Sequence, residues 1–251
     1  MTLTQTVTVS LLLLARLGGI LIYVPIPGAK SAPLPARVFL VVSLSLALLP
    51  SFLQSQAPPA GLGQLTLWLV GEMAFGLMVG LLISFLAEGL AFGLQAIAIQ
   101  AGFSYSSTID PNSEADSGVL QTIAQVTANL LFFQLGGDVI VIRAFARSLH
   151  SWPPGSASLG WPAVESIAAF SGAMLDLGLR LALPIAALLF LTDLSLALMA
   201  RLQSQLQLLS LAFPVKMLAT LAFLSVLIPV VPILYRTGLQ MAVGHLGRLI
   251  R

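Results

Sequence analysis

The chain has no cysteine and few charged residues of either sign. The absence of cysteine among all 251 residues excludes disulfides, thiolate metal sites and cysteine nucleophiles. Charged residues make up 8% of the chain and the formal net charge is +2. Lysine and arginine are not clustered, so no nucleic-acid surface is predicted. Hydrophobic residues make up 58% and the mean hydropathy is +1.01, which excludes an ordinary soluble domain.

The chain also lacks the motifs of common enzymes. It contains neither a glycine-rich phosphate loop with a lysine nor a Gly-x-Ser-x-Gly nucleophile elbow. His150 and His245 have no metal-binding type of residue three or four positions away. We therefore predict no catalytic residue, no cofactor and no metal.

Long apolar runs occupy most of the sequence. They cover residues 7–24, 38–52, 65–99, 119–142, 167–199 and 218–234. The runs do not alternate apolar and polar residues as barrel strands do, so they predict membrane helices. Arg16 lies inside the first run and no basic residue precedes it, which favours a retained helix over a signal peptide. The predicted fold class is an all-α, polytopic membrane protein with residues 1–251 as one domain.

Two of these runs, 65–99 and 167–199, are too long for one simple span. Strict alternation of six spans also distributes the basic loops over both sides of the membrane, against the usual cytoplasmic bias of lysine and arginine. We therefore interpret the long runs as helical hairpins that pack within a larger assembly.

Ionisable residues interrupt the apolar runs, where a charge facing lipid costs at least a few kcal/mol. Asp176 and Arg180 are four residues apart and can pair on one helix face, either as a structural pair, which we favour, or as an ion relay. Glu72 and Glu88 have no basic neighbour within a turn. Each needs a partner elsewhere in the chain or in another subunit, or must be protonated. The remaining charges near the last two runs predict a salt-bridge cluster: Asp193, Arg201 and Lys216.

Pairs of glycines four residues apart occur twice in the third run. Gly76 and Gly80 form the first pair, and Gly89 and Gly93 form the second. Small residues at this spacing allow two helix backbones to approach closely. A merely glycine-rich membrane composition is the alternative.

The most hydrophilic window, residues 102–118, is the candidate gating element. Glycine and proline punctuate it, and apolar side chains lie in a polar setting, as suits a plug in a channel. A solvated connecting loop is the alternative. The residues that define the candidate plug are Gly102, Phe103, Tyr105, Ile109, Asp110 and Pro111. The chain ends in a basic tail, 236–251, which is predicted to be a short amphipathic helix.

Taken in order, several short motifs resemble the FliR family, which includes flagellar export-gate proteins and their type III secretion relatives of the SctT/SpaR type. The motifs are Arg16-x-Gly18-Gly19, Pro35-Ala36-Arg37, Glu72 with Gly76-x-x-x-Gly80, Gln100-Ala101-Gly102, Ile109-Asp110-Pro111, Gly136-Gly137, Leu183-Pro184, Asp193, Arg201 and Phe213-Pro214-Val215-Lys216. Ser204-Gln205 and Asp138 depart from the flagellar pattern, whereas Ile109-Asp110-Pro111 with Asp116-Ser117 is more similar to it.

This resemblance implies a non-enzymatic subunit of the flagellar protein export gate in the bacterial inner membrane and basal body. FliP-like and FliQ-like subunits would be its partners, beside membrane lipid and the unfolded proteins that pass through the channel. The loop 102–118 would contribute to the plug, and Glu72 and Glu88 would make contacts between subunits. The alternatives are an injectisome gate subunit of the same family and an ion-coupled secondary transporter using Asp176, Arg180 and Asp193.

Overall fold

The computed structural model describes residues 3–23, 34–52, 59–103, 119–156, 161–202 and 208–249, and these residues form helices without any strand. The elements are α1 (Leu3–Tyr23), α2 (Leu34–Phe52), α3 (Leu62–Ala101), α4 (Val119–Gln134), α5 (Gly137–Ser151), α6 (Trp161–Leu202), α7 (Leu208–Leu227), a short 3₁₀ turn (Ile228–Val230) and α8 (Val231–Leu249).

Five helices are long and apolar enough to cross a membrane, or six if the bent pair α4–α5 counts as one span. The prediction of an all-α, polytopic membrane protein is therefore confirmed. Helices are the expected solution because they satisfy every backbone polar group within the segment.

The two longest runs differ from the expected hairpins, because each is one uninterrupted helix. Helix α3 has 40 residues and α6 has 42. At 1.5 Å per residue, such helices are about 60 Å long, roughly twice the hydrocarbon thickness of a bilayer. No Pro-Gly turn interrupts either run, and Pro184 is accommodated inside α6. The length of these two runs therefore comes from single long helices and not from the helical hairpins that the sequence predicted.

The fourth run, in contrast, is divided into two helices that meet at a bend of 64°. Gly136 has φ +73°, a left-handed conformation that glycine adopts without steric cost. Its N–H donates to the Phe133 carbonyl at 2.9 Å and closes the turn. Next to it, Gly137 lies directly against the Phe132 ring and leaves no room for a side chain. The paired glycines are therefore the local cause of the bend.

The chain forms two compact units. Unit 1 comprises Met1–Leu86, Phe132–Ser171 and Leu239–Arg251, and unit 2 comprises Ala87–Leu131 and Gly172–Gly238.

In unit 1, α1 packs against α3 at backbone distance. A Cβ atom added at Gly19 would lie 2.6 Å from the Met73 carbonyl oxygen, and one added at Gly80 would lie 2.6 Å from the Ile20 carbonyl oxygen. Such distances leave space for hydrogen only, so the first glycine pair serves close helix packing. The buried face of α1 recurs every three to four residues, as an amphipathic helix requires: Val9, Leu12, Leu13, Arg16, Leu17 and Ile20.

In unit 2, the second glycine pair of α3 packs against α6. A Cβ atom at Gly89 would lie 2.8 Å from the Met174 carbonyl oxygen, and one at Gly93 would lie 2.5 Å from that of Gly178. Gly178 in turn packs against the Gly89 carbonyl oxygen. Close packing at both glycine pairs is thus confirmed, and the compositional alternative is wrong.

The last apolar run, 218–234, is interrupted by a turn that contains a proline. Helix α7 stops at Leu227, and a 3₁₀ turn holding Pro229 leads into α8. Proline lacks the N–H that would continue the helical ladder, which favours such a break. The basic tail is helical to Leu249, but α8 begins at Val231, before the predicted start of the tail.

Candidate functional site

The most highly organised polar site of the described chain is an ion pair inside unit 1. Arg16 of α1 binds Glu72 of α3 through two parallel contacts, one from Nε to Oε2 and one from Nη2 to Oε1 at 2.9 Å. The two side chains are 0% and 1% exposed. This planar, bidentate geometry is the strongest form of an arginine–carboxylate contact.

Further groups complete the hydrogen bonding of both side chains. The Ser148 hydroxyl of α5 lies 3.3 Å from Arg16 Nη1, and the Trp152 carbonyl oxygen accepts from Nη2 at 3.0 Å. The Gly155 N–H donates to Glu72 Oε1 at 2.7 Å. We call these five residues the Arg16–Glu72 network. It joins α1, α3, α5 and the segment 152–156.

Aromatic rings border one side of this network. The guanidinium carbon of Arg16 lies 5.1 Å from the centre of the Phe75 ring, within the range of a cation–π contact. The Phe75 ring stacks on that of Trp152, with centroids 5.9 Å apart and planes inclined by 24°. The rings help to keep water and lipid away from the ion pair, which raises its electrostatic strength.

Small residues make the approach of the two charged side chains feasible. Gly76 lies one helical turn after Glu72, and an added Cβ atom at this position would collide with the Arg16 carbonyl oxygen. Gly155 has φ +88°, so its left-handed backbone directs the N–H to the carboxylate at no cost in Cβ strain. The network therefore depends on glycine backbones as much as on the charged groups.

The role of this site is structural: it holds helices in place and does not transfer protons. Arginine keeps its proton in proteins, and both carboxylate oxygens of Glu72 are occupied by donors. An isolated charge of either sign would be costly within an apolar helix bundle, but the pair is neutral as a whole. The arrangement satisfies two charges and holds three helices and one loop together.

Glu72 therefore finds a partner within this chain, which is one of the alternatives expected from the sequence. The two residues are 56 positions apart, and no helical spacing connects them. The sequence contained one usable signal, since Arg16 and Glu72 each break an apolar run and carry opposite charges.

The paired carboxylate and guanidinium in unit 2 are arranged differently. Asp176 and Arg180 form the predicted pair on α6, with 2.7 Å between Oδ2 and Nε. Their side chains are 59% and 72% exposed on the surface of this chain. The i, i+4 spacing produced the contact, while the face on which it lies was set by packing.

The cluster predicted around the last two apolar runs is present in part. Lys216 Nζ of α7 lies 2.6 Å from Asp193 Oδ1 of α6. Arg201 is exposed and forms no ion pair with the residues that the structure describes. The pair ties α7 to α6 and is intermediate in burial, with side chains 15% and 38% exposed.

Glu88 lies on an exposed position of α3, in unit 2. The expected contact of Glu88 with another subunit stays a prediction. Position 88 directly precedes Gly89, which packs against the Met174 backbone of α6. The neighbouring glycine thus takes the inward-facing position, and the carboxylate points outward.

Only the first two residues of the candidate plug lie within the described part of the chain. Gly102 has φ +84°, its N–H donates to the Ile99 carbonyl, and the Phe103 N–H donates to the Ala98 carbonyl at 2.9 Å. This pattern is a Schellman motif, which ends α3 and starts the polar segment. The other predicted plug residues lie outside the described residues: Tyr105, Ile109, Asp110 and Pro111.

Comparison with known proteins gives a match over nearly the whole chain. A family model described as bacterial export proteins, family 1, matches residues 7–242. A flagellar biosynthetic protein FliR from Escherichia coli (strain K12) is 26% identical over 208 residues, which cover 82% of this chain and 79% of the relative.

Two further relatives match the chain over a similar length. FliR from Aquifex aeolicus (strain VF5) is 23% identical over 218 residues, covering 87% of this chain and 84% of the relative. The surface presentation of antigens protein SpaR from Salmonella typhimurium (strain LT2) is 25% identical over 220 residues, covering 87% of this chain and 82% of the relative. The similarity thus extends over the helices of both units.

Proposed function

The chain belongs to the bacterial export proteins, family 1, and from this membership we propose that it is a non-enzymatic membrane subunit of the flagellar protein export gate. The observation that carries the proposal is the extent of the family match, residues 7–242, which includes every described apolar helix. A match of this extent concerns the whole architecture and not one shared motif.

The names of the relatives favour a flagellar role. Similar proteins named FliR occur in organisms as different as Escherichia coli and Aquifex aeolicus. The similarity to SpaR supports the second candidate, a gate subunit of a surface-presentation secretion system. Deleting the gene in its own organism distinguishes the two. Loss of flagella and of motility supports the first, whereas intact flagella with a defect in injectisome secretion supports the second.

The exposed charges support an assembly with other subunits in the inner membrane. Asp176, Arg180 and Arg201 lie on the surface of this chain, on a helix that is otherwise apolar enough to enter a bilayer. A charge that faces acyl chains is costly, so contact with polar groups of neighbouring subunits lowers the energy of this state. FliP-like and FliQ-like subunits are the partners that we propose.

Purification in mild detergent followed by mass measurement of the intact complex tests this part of the proposal. A mass that contains this chain with several copies of small apolar subunits is the expected result. A monodisperse single chain that transports a solute after reconstitution would instead favour the ion-coupled transporter.

The segment 102–118 is proposed to close the channel until export begins. It follows a helix that a Schellman motif terminates, so the chain leaves α3 in a defined direction at Gly102 and Phe103. Deleting residues within 104–117 is expected to make the inner membrane permeable to small solutes while the complex keeps its mass. An assembled deletion complex with unchanged permeability would contradict the plug role but not the membership in an export gate.

A further inference from the structure

Helix α5 carries a second polar feature, which the Arg16–Glu72 network leaves unused. Its exposed residues recur at helical spacing and form one continuous face, which we call the α5 stripe: Val139, Ile142, Arg143, Arg147 and His150. The opposite face is buried and contains Val141, Ala144, Phe145, Ser148 and Leu149.

The α5 stripe changes in character along the helix. Its first two members, Val139 and Ile142, are apolar and are 43% and 57% exposed. Its last three members are two arginines and a histidine, and all three are exposed. A graded face of this kind matches the boundary of a bilayer, where acyl chains give way to headgroups over a few ångströms.

The cations of the stripe are available to an external ligand. Arg143 and Arg147 form no ion pair with any residue in the described ranges. Asp138, the acidic residue of α5, lies in the first turn, where it complements the helix dipole, and is not on the stripe. His150 rests against the Phe52 ring, with centroids 5.6 Å apart, at the end of the same face.

Contacts on the buried face of α5 fix the position of this helix. Ser148 contacts the Arg16 guanidinium at 3.3 Å and donates to the Phe145 carbonyl at 2.8 Å, and the Trp152 N–H caps the helix by donating to the Ser148 carbonyl. The helix therefore cannot rotate to hide its basic side chains without breaking a buried ion-pair network. This rigidity reduces the conformational entropy lost when a ligand binds the stripe.

From these observations, we propose that the α5 stripe binds the phosphate groups of anionic phospholipids, with Arg143 and Arg147 at headgroup level and Val139 and Ile142 against the acyl chains. Helix α4 supports this placement, because α4 and α5 together qualify as a membrane span that is broken by a 64° bend. Arginine suits the role because its long apolar stem reaches through the interface while its guanidinium binds phosphate. The inference goes beyond the proposed export role and does not depend on it.

Tryptophan quenching tests this lipid preference with the full chain. The chain has three tryptophans, so Trp68→Phe, Trp152→Phe and Trp161→Phe remove all of them. Val139→Trp then places a single reporter on the exposed apolar part of the α5 stripe, at the depth proposed for the brominated acyl chains. The protein is reconstituted in phosphatidylcholine vesicles with an equal fraction of brominated phosphatidylglycerol or brominated phosphatidylcholine. Stronger quenching by the brominated phosphatidylglycerol is expected.

The substitutions Arg143→Gln and Arg147→Gln should lower the relative binding constant for phosphatidylglycerol by about five-fold for each arginine removed. Arg143→Lys with Arg147→Lys keeps the charge and should retain most of the preference. The matched control is Arg236→Gln with Arg248→Gln, which removes two charges at exposed positions of α8. This control should leave the preference unchanged.

Three results would overturn the proposal. They are equal quenching by both lipids, an equal loss in the α8 control, and an undiminished preference after both arginines of α5 are replaced. The last result would favour an acidic protein segment as the occupant of the stripe. If the glutamine variant does not fold, raising the salt concentration from about 0.05 M to about 0.5 M must weaken the wild-type preference, and a salt-independent preference would equally overturn the proposal.

Discussion

The ion pairs Arg16–Glu72 and Asp176–Arg180 use the same chemical groups in opposite surroundings. The first joins residues 56 positions apart and is buried, whereas the second joins residues four apart and is more than half exposed. Three residues from two further elements supply additional hydrogen bonds to the first, while the second lies on one helix. The comparison teaches that the contact most visible in the sequence is the weaker one, because a local pair needs no packing to form.

Replacing Glu72 by alanine should have the largest effect. The substitution leaves the Arg16 guanidinium buried without a counter-charge and the Gly155 N–H without its acceptor. We therefore expect a loss of about 3–5 kcal/mol in the free energy of unfolding. Denaturation of the purified chain in detergent measures the loss. The double variant Arg16→Met with Glu72→Leu should regain much of it, since apolar residues of similar size can replace a buried pair. A single variant as stable as the wild type would show that the network is unimportant for stability.

The glycine contact beneath the network should have the next largest effect. Gly76→Ala places a methyl group against the Arg16 carbonyl oxygen, and the resulting overpacking is expected to cost about 1–3 kcal/mol. Gly18→Ala on α1 is the matched control, because nothing lies within 4 Å of its added Cβ atom. The control should stabilise the helix by about 0.5–1 kcal/mol. Equal effects in both variants of the chain, measured by thermal unfolding in detergent, would refute the close approach of α1 and α3.

The pair Lys216–Asp193 should behave as an intermediate case. Because Lys216 is 15% exposed, Lys216→Met is expected to cost about 1.5–3 kcal/mol, the range for hydrogen bonds to charged groups. A double-mutant cycle with Asp193→Asn isolates the coupling between the two side chains. A coupling energy near zero would show that this pair is as weak as the exposed pair Asp176–Arg180. A coupling energy as large as that of Arg16 and Glu72 would show that burial does not determine the strength of these ion pairs.

The smallest effect is expected for Asp176→Asn in the isolated chain. An exposed i, i+4 pair contributes about 0.3–0.5 kcal/mol, and salt should reduce even this difference. Thermal unfolding in detergent at low and high salt provides the measurement. In the assembled complex, a much larger loss would indicate that a neighbouring subunit buries the pair. An effect in the isolated chain as large as that of Glu72→Ala would contradict the role of burial.

The sequence predicted several types of contact in this protein, but it did not predict which residues on different helices meet. The sequence predicted that glycines at 76, 80, 89 and 93 pack closely, and both contacts are present. It predicted the contact between Asp176 and Arg180, which is present on the surface of α6. It noted Arg16 and Glu72 in separate motifs without joining them, because no spacing rule relates residues on different helices.

The apolar composition alone determined that this protein is all-α and membrane-spanning, since a chain with so few polar side chains must satisfy its backbone within helices. The order of short motifs determined its family. Only the tertiary structure decided which charges are buried, that two long runs are single helices, and that a glycine pair bends the fourth run. The physical reason is that helix formation depends on neighbours along the chain, whereas burial and charge pairing depend on helices brought together from distant positions.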